Sequence, residues 1–474
     1  MSVIKFGTDG WRAAIAEDFT FQNVRVCAQA VADYLKESGD AARGLVVGYD
    51  TRFASEHFAA AVAEVAAANG IRTHLCDRAA PTPAISYSVL TQEAAGGVVI
   101  TASHNPWTDN GFKYKLDYGA SATPEVVSQL ERHIDRLEDA GSPVQSISLQ
   151  EGTRRGLVES FNPSGLYLDK IRSLVEVDDI RGSGLRIALD PMYGTGAGYL
   201  PLLLDDRGSV THEIRSERNP YFDGKGPEPI PRNLGRFMGL MKEGDYDVGL
   251  ATDGDADRLG VVDENGRFIN QLEVFALLAL YLLEARGERG DLVKSVTSTS
   301  MLYGLGDIYG VRVHEMPVGF KYIGARMREV DALMGGEESG GFAFRGHIPE
   351  RDGILAGLYF LHLMVKLSMR PSQLVDYLFS KVGPHHYDRV DIPVTPDRKA
   401  SLLRRLAEAR PGSLAGVRVK EVDTMDGYRF ILEDGSWLLF RFSGTEPMMR
   451  IYTETDSPEK VQLLLSEGQA LSGV

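Results

Sequence analysis

The ten residues Gly97-Val98-Val99-Ile100-Thr101-Ala102-Ser103-His104-Asn105-Pro106 decide how the rest of the chain is read. The apolar run Gly97–Ile100 has the length and composition of a buried strand. Asn105 favours a turn and Pro106 cannot continue a ladder, so the strand stops and its polar end, TASHNP, becomes a tight loop. That loop presents Ser103 and His104 at the end of a sheet. Taken alone, the six residues read equally well as a turn in which Ser and Asn cap backbone groups, so the surrounding sequence has to decide.

Three stretches repeat the same order of elements. LVVGYDTR from Leu45 reads as a strand and polar loop, Ser55 as the N-cap of an alanine-rich helix over Glu56 to Asn69, Gly70 as its end, and Ile71 to Cys76 as the next strand. Leu185–Asp190, PMYGTG, a helix around Ala197–Leu204 and a strand around Val210–Ile214 form a second copy. Leu292–Thr299, a helix over Met301–Tyr309 and the strand Val311–Glu315 form a third. Each copy leads to another strand that ends in a distinctive loop: TASHNP, then TDGDADR (Thr252–Arg258), then GGEESGG (Gly335–Gly341). In open α/β sheets such strand ends are where ligands bind, so the three loops are expected to share one cleft.

From about Pro371 the pattern changes to short strands around Ile392–Val394, Val417–Val422, Arg429–Leu432, Trp437–Phe442 and Met449–Thr453, with helices over Pro396–Ala409 and from Pro458. This is a different, α+β unit, and it too ends a strand in a polar loop, RFSGTEP (Arg441–Pro447). The expected fold is α/β: three similar α/β domains with mixed sheets and a smaller α+β C-terminal domain around a central cleft. The expected spans are 1–152, 153–257, 258–370 and 371–474. A chain of 474 residues is too long for one core.

The balance of 43% hydrophobic and 25% charged residues is that of a globular protein. A net charge of −15 speaks against nucleic-acid and anionic-membrane partners, since both need a basic face. An anionic substrate would then need a local cluster of Arg, Lys, metal or helix N-termini. MSVIKFGTDG shows no basic region followed by an apolar run, and the apolar helix near Val274–Leu283 is too short to span a bilayer, so a cytoplasmic setting is expected. Cys27 and Cys76 have neither metal-ligand nor disulfide spacing and read as core thiols.

Each loop suits a different piece of chemistry. Asp253, Asp255 and Asp257, separated by small residues, can curl until three carboxylates converge, a hard-oxygen set for Mg²⁺ or Ca²⁺. An EF-hand loop fails at its sixth position, where Arg258 replaces the required glycine. Glu337 and Ser339, two apart in a glycine-rich loop, can face one side and bond sugar hydroxyls. Arg441 offers a planar fork for a phosphate, with Ser443, Gly444 and Thr445 adding hydroxyls and backbone N–H. Lys113 could be a general acid/base or a charge that balances phosphate, and Arg12 in FGTDGWR (Phe6–Arg12) a further anion contact. A hydroxyl, a Mg²⁺ site and separate sugar and phosphate readers are what phosphoryl transfer needs.

TASHNP, DGDADR, GEESGG and RFSGTEP, in this order, resemble the α-D-phosphohexomutase superfamily of phosphoglucomutases and phosphomannomutases, and FGTDGWR looks like that family's N-terminal signature. The resemblance spans essentially the whole chain. It implies that Ser103 is carried as a phosphoserine, that Mg²⁺ is held by Ser103 with Asp253, Asp255 and Asp257, and that Glu337 and Ser339 read the sugar. Arg441, Ser443, Gly444 and Thr445 would grip the non-transferring phosphate, while Arg12, His104, Lys113 and Arg258 line the transfer site. It further implies interconversion of hexose 1-phosphate and hexose 6-phosphate (glucose or mannose) with hexose 1,6-bisphosphate as intermediate and activator; a phosphoglucosamine mutase and a Mg²⁺-dependent sugar-phosphate phosphatase are the alternatives. The expected partners are small sugar phosphates, and the chain is a monomer or dimer. Several bacterial members place a histidine where this chain has Gly341, which leaves Lys321, Arg345, His347 and Arg351 as candidates for its acid/base role. The pair Glu337-Glu338 looks like the phosphoglucomutase version of the loop; phosphoglucosamine mutases usually carry glutamine second.

Overall fold

The structure, a computed structural model, describes all residues except 1–3, 8, 142, 206–207, 444–446 and 474. Three sheets share one plan. In the first, Leu45–Tyr49 lies between two parallel partners, Thr73–Cys76 and Gly96–Ile100, and Gly96–Ile100 turns back antiparallel into Asp109–Leu116. In the second, Arg186–Asp190 lies between Val210–Glu213 and Val248–Thr252, and the latter turns back into Leu259–Val262. In the third, Leu292–Ser295 lies between Val313–Met316 and Met334–Gly336, which turns back into Phe342–Phe344. The three distinctive loops are therefore the same hairpin connection in three copies, each leaving a central parallel strand at its C-terminal end, where open α/β sheets bind ligands.

The hairpins move the unit borders away from those expected. The metal loop is the turn between Val248–Thr252 and Leu259–Val262, so the second sheet runs on to Phe268–Ile269 rather than ending at Asp257. Likewise Val158–Phe161 adds a sixth strand to the first sheet beyond residue 152, and helix Pro371–Val382 packs against Gln271–Leu280 and Met301–Tyr309 of the third unit. The fourth sheet is antiparallel throughout, ordered His386–Pro393, Met448–Thr455, Trp437–Phe442, Tyr428–Leu432, Val417–Asp423 and Ser413–Leu414.

Helices Gln271–Leu280 and Gly353–Leu367 are apolar on nearly every face because they are buried on nearly every face; one continuous core that includes Leu189, Phe275, Leu302 and Phe360 joins the second and third units. Among the described residues no single helix is long and apolar enough to cross a membrane. Cys27 and Cys76 are buried and unpaired, and burial pushes both thiols up. Helix Ser55–Ala68 begins one residue earlier than its sequence suggests: Ala54, at φ 58°, takes the cap position, and the Ser55 hydroxyl instead donates to Asp50 Oδ1 at 2.8 Å. The captured hydroxyl is part of the support for the Ser103 loop.

Candidate functional site

Ser103 leaves its strand with φ 53°, a left-handed conformation that costs free energy for a residue with a Cβ and persists only where its surroundings dictate it. Those surroundings are visible. The Ser103 N–H donates to Thr101 Oγ1 at 2.8 Å. The guanidinium of Arg52, fully buried, donates to four carbonyls of the loop: Ser103 (2.6 Å), Asn105 (2.7 Å), Pro106 (2.8 Å) and Asp109 (3.0 Å). Asp50 lies 3.2 Å from Arg52 Nε and is itself bonded by Ser55. The planar fork thus pins the loop from Ser103 to Asp109 to the end of the neighbouring strand.

The metal loop meets this turn directly. The Ser103 hydroxyl donates to Asp253 Oδ2 at 2.8 Å. Gly254 passes the Ser103 carbonyl so closely that a Cβ would stand 2.6 Å from it, so a larger residue would force the loops apart. Asp253 Oδ1 accepts from the N–H groups of Asp257 (3.0 Å) and Arg258 (3.1 Å), which curls the loop. One oxygen each of Asp253, Asp255 and Asp257 lies within 4.8 Å of the others, all buried.

Their charges are unequally compensated. Burial, then the charges of Asp257 and Asp255, hold the Asp253 carboxyl well above the usual range. Burial also raises Asp257, against the opposing charge of Arg351. For Asp255 burial is outweighed by Lys113, which lowers it; Lys113 Nζ and the Thr82 hydroxyl both donate to its Oδ2. Asp255 Oδ1 and Asp257 Oδ1 are buried and have no hydrogen-bond partner among the described residues. Orphaned carboxylate oxygens converging in a buried cluster are what a divalent cation satisfies, and the all-oxygen set fits Mg²⁺.

Several cationic side chains and His104 surround the loop. Arg12 Nη1 donates to Asn105 Oδ1 at 2.7 Å. His104 Nδ1 is 3.3 Å from Ser103 Oγ; burial, with Arg258, Arg12, Lys113 and Arg351 nearby, pushes its pKa well down, so the ring is neutral at pH 7. Lys113 Nζ lies 2.9 Å from both Asp9 and Asp255 and 3.5 Å from Asp257. Burial alone would lower its pKa, but these carboxylates raise it, which suits charge balance better than proton transfer. Arg258 Nε stands 3.9 Å from Asp253 and Asp257.

Arg351 links this cluster to the sugar loop. It reaches Asp9 at 2.6 Å and Asp257 at 2.8 Å, and lies 3.9 Å from Glu337. Its stem occupies the space a side chain at 341 would need, since a Cβ on Gly341 would fall 2.2 Å from Arg351 Cδ. A side chain at 341 and the observed course of Arg351 therefore exclude one another. Of the other candidates for the acid/base role, His347 is tied to Asp352 at 3.0 Å beneath Tyr87 and Tyr167, Arg345 donates to the Arg289 carbonyl, and Lys321, half-buried, is lowered by desolvation against the charge of Asp9.

In the sugar loop Glu337 Oε1 accepts from Gly319 N–H at 2.9 Å and burial raises its pKa, while Ser339 Oγ is buried with no partner among the described residues. Glu338 turns the other way, to Arg389. In the fourth unit Arg441 Nε donates to Asp426 Oδ2 at 2.9 Å and Ser443 N–H donates to the Met448 carbonyl. Gly444 and Thr445 lie outside the described residues.

Sequence reasoning overlooked Asp9, Arg52 and Thr82. Asp9 sits inside FGTDGWR and Arg52 inside LVVGYDTR, so an acid and a base in a quoted turn were the only signal. The charged partners of Asp9 are 104 or more residues away, and apart from Asp50 the groups Arg52 reaches are backbone carbonyls 51 or more residues away, which any sequence supplies.

Comparison with known proteins identifies the family. Four family models match in order: phosphoglucomutase/phosphomannomutase α/β/α domain I over residues 3–140, domain II over 166–266, domain III over 270–382 and the C-terminal domain over 394–467. A phosphoglucomutase/phosphomannomutase of Thermococcus kodakarensis is 32% identical over 98% of this chain and 97% of its own. A protein of Pyrococcus abyssi named as a candidate phosphoglucosamine mutase is 31% identical, again over 98% and 97%. A crystal structure from Thermus thermophilus, of a protein named as a candidate phosphomannomutase, is 34% identical with a TM-score of 0.86 over the whole of both chains.

Proposed function

This chain belongs to the α-D-phosphohexomutase superfamily, and we propose that it interconverts the 1- and 6-phosphates of glucose or mannose through a phosphoserine at Ser103 and a hexose 1,6-bisphosphate. The observation that carries this reading is the Ser103 hydroxyl held at 2.8 Å from Asp253 inside a cluster of three buried aspartates.

In the proposed cycle the Ser103 Oγ–P bond breaks as the P–O bond to a sugar hydroxyl forms. The bisphosphate turns in the cleft, and its other phosphoryl group returns to Ser103. Asp253, Asp255 and Asp257 would hold Mg²⁺, which when bound neutralises charge on the moving phosphoryl group. Arg52 holds the serine loop in its strained register. Arg12, Arg258 and Lys113 place fixed positive charge around the transferring group, and such preorganised charge costs no rearrangement at the moment of reaction. Arg351, a guanidinium that does not exchange its charge near neutral pH, ties Asp257 to the sugar loop. Glu337 and the Ser339 hydroxyl offer bonds to sugar hydroxyls, and Arg441 with its loop offers a grip for the second phosphate.

Relatives named for glucosamine phosphate keep a second substrate open. The Glu338 position does not separate the two, because its carboxylate faces Arg389 rather than the sugar loop's inner side. A coupled assay on glucose 1-phosphate, mannose 1-phosphate and glucosamine 1-phosphate, with Mg²⁺ and the matching bisphosphate, ranks the substrates. Ser103→Ala should abolish turnover with the fold intact; normal turnover in that variant, or free phosphate released in place of an isomeric sugar phosphate, would refute the mechanism.

A further inference from the structure

The fourth unit touches the sugar loop through two charged contacts. Arg389, on strand His386–Pro393, donates from Nη1 to Glu338 Oε1 at 2.6 Å, and Asp391 stands 3.3 Å from its Nε. Glu338 sits between the two residues that read the sugar in the proposed mechanism. At the second contact Asp426 Oδ2 accepts from Arg441 Nε at 2.9 Å and from the Val318 N–H at 2.9 Å. The next N–H, that of Gly319, donates to Glu337 Oε1 at 2.9 Å. One carboxylate and two adjacent peptide groups therefore join the arginine assigned to phosphate with the glutamate assigned to sugar.

We propose that Asp426 and the Glu338–Arg389 pair are positioning residues that keep the sugar loop and the phosphate-reading arginine in one register, so that the fourth unit retains the bisphosphate while it turns. The inference rests on the mutase reading above. The intermediate has to reorient between two phosphoryl transfers, so the cleft must loosen around it without opening fully. Contacts suited to that task are individually modest and easily remade. These are partly solvated: the side chains are 28% and 10% exposed for Arg389 and Glu338, and 12% and 24% for Arg441 and Asp426. Ion pairs of this kind contribute far less than a packed core and dissociate readily. The deep contacts between the third and fourth units lie elsewhere, at Glu315–Arg429 and at Glu454 with Thr299 and Ser300, and can serve as the standing attachment.

The test uses the full-length enzyme with Mg²⁺, radiolabelled on Ser103 and mixed with glucose 1-phosphate, and reads bisphosphate released to solution per turnover alongside kcat and KM. Glu338→Gln, Arg389→Gln and Asp426→Asn should each raise released bisphosphate about 5-fold, the equivalent of losing one partly exposed ion pair. They should raise the activator concentration for half-maximal rate in parallel, with kcat at saturating activator changed less than about 2-fold. The exchanged pair Glu338→Arg with Arg389→Glu should recover most of the retention. A role confined to stability would lower the melting temperature and the active fraction but leave the partition of the intermediate untouched. Wild-type partition in the single variants, or an exchanged pair no better than either of its component substitutions, overturns the inference. A wild-type enzyme that passes its label to water overturns the mutase reading and the inference with it.

Discussion

Removing the fork of Arg52 is the sharpest test of how the Ser103 loop is held. Arg52→Met keeps roughly the length of the stem but takes this donor from the carbonyls of Ser103, Asn105 and Asp109, leaves Pro106 with the Asp109 N–H at 3.1 Å, and leaves Asp50 without its cation. A buried group left unsatisfied costs about 1–3 kcal/mol, so these three set an upper range of about 3–9. Relaxation of the loop and entry of water bring this toward the lower edge, about 4 kcal/mol, in line with breaking one buried ion pair by removal of a partner. Arg52→Lys keeps the charge beside Asp50 but presents a point donor that cannot span four carbonyls, and should cost about 2 kcal/mol. Urea unfolding gives the global loss, and hydrogen exchange over residues 101–111 gives the local one. In Arg52→Lys the amides of the loop should exchange faster while those of helix Phe21–Ser38 keep their protection. Phosphoryl transfer per phosphorylatable site should fall at least about 10-fold, because the strained Ser103 no longer sits in one geometry. A loss below about 1 kcal/mol in Arg52→Met with unchanged exchange in the loop would refute the account of how the loop is held.

Gly341→Ala should displace Arg351 from Asp9 and Asp257, since its Cβ would lie 2.2 Å from Arg351 Cδ; a destabilisation of about 3 kcal/mol follows, and Arg351→Ala, which removes both the stem and the ion pairs, should abolish most of the extra cost of the alanine. Glu315 gives a pH test: burial alone would raise it, but the hydrogen bond from Arg429 and the charge of Lys294 bring it down to about 2 from 4.5. Its folded-state value is depressed, so its stabilisation, about 3 kcal/mol, is complete above pH 4.5 and is lost as pH falls toward 2. Trp437, packed with Ser300 and Glu454 at the same border, should report loosening of the fourth unit in that window, and Glu315→Gln should flatten the response. Magnesium gives another. Burial and the charges of Asp257 and Asp255 push Asp253 up, so Mg²⁺ and protons compete for the cluster, and the cation's stabilising effect, about 2.7 kcal/mol at 100 times Kd, should weaken as pH falls. A Mg²⁺-induced rise in melting temperature that does not shrink as pH is lowered would contradict this competition.

Much of the architecture is legible locally. The run Gly97–Ile100, the spacing of apolar residues in Met301–Tyr309 and the breaks at Gly70 and Gly310 are short-range features, and the observed elements fall on them to within two or three residues. The borders between units are less legible, because a hairpin such as the one through Asp253–Arg258 reads as the end of an element until its partner strand is known. The same holds for Ser55, whose hydroxyl has a cap available in sequence but finds the Asp50 carboxylate in space.

What this sequence determined on its own is the set of chemical groups: a hydroxyl on a strand-ending turn, three alternating carboxylates, a glycine-rich acidic loop and an arginine loop, each readable from residue type and spacing of a few positions. Their equivalence as three copies of one hairpin is also local, since each copy writes the same strand, helix and strand. The tertiary structure decided everything that depends on long-range approach. It brought Asp9 and Arg351, 342 residues apart, to 2.6 Å, turned Arg52 toward backbone carbonyls that carry no sequence signature, and filled the space beside Gly341 with another residue's stem. It also divided the pair Glu337-Glu338 between two tasks. The physical reason is that hydrogen bonding and sterics act through space at a few ångströms, whereas sequence patterns report only neighbours along the chain.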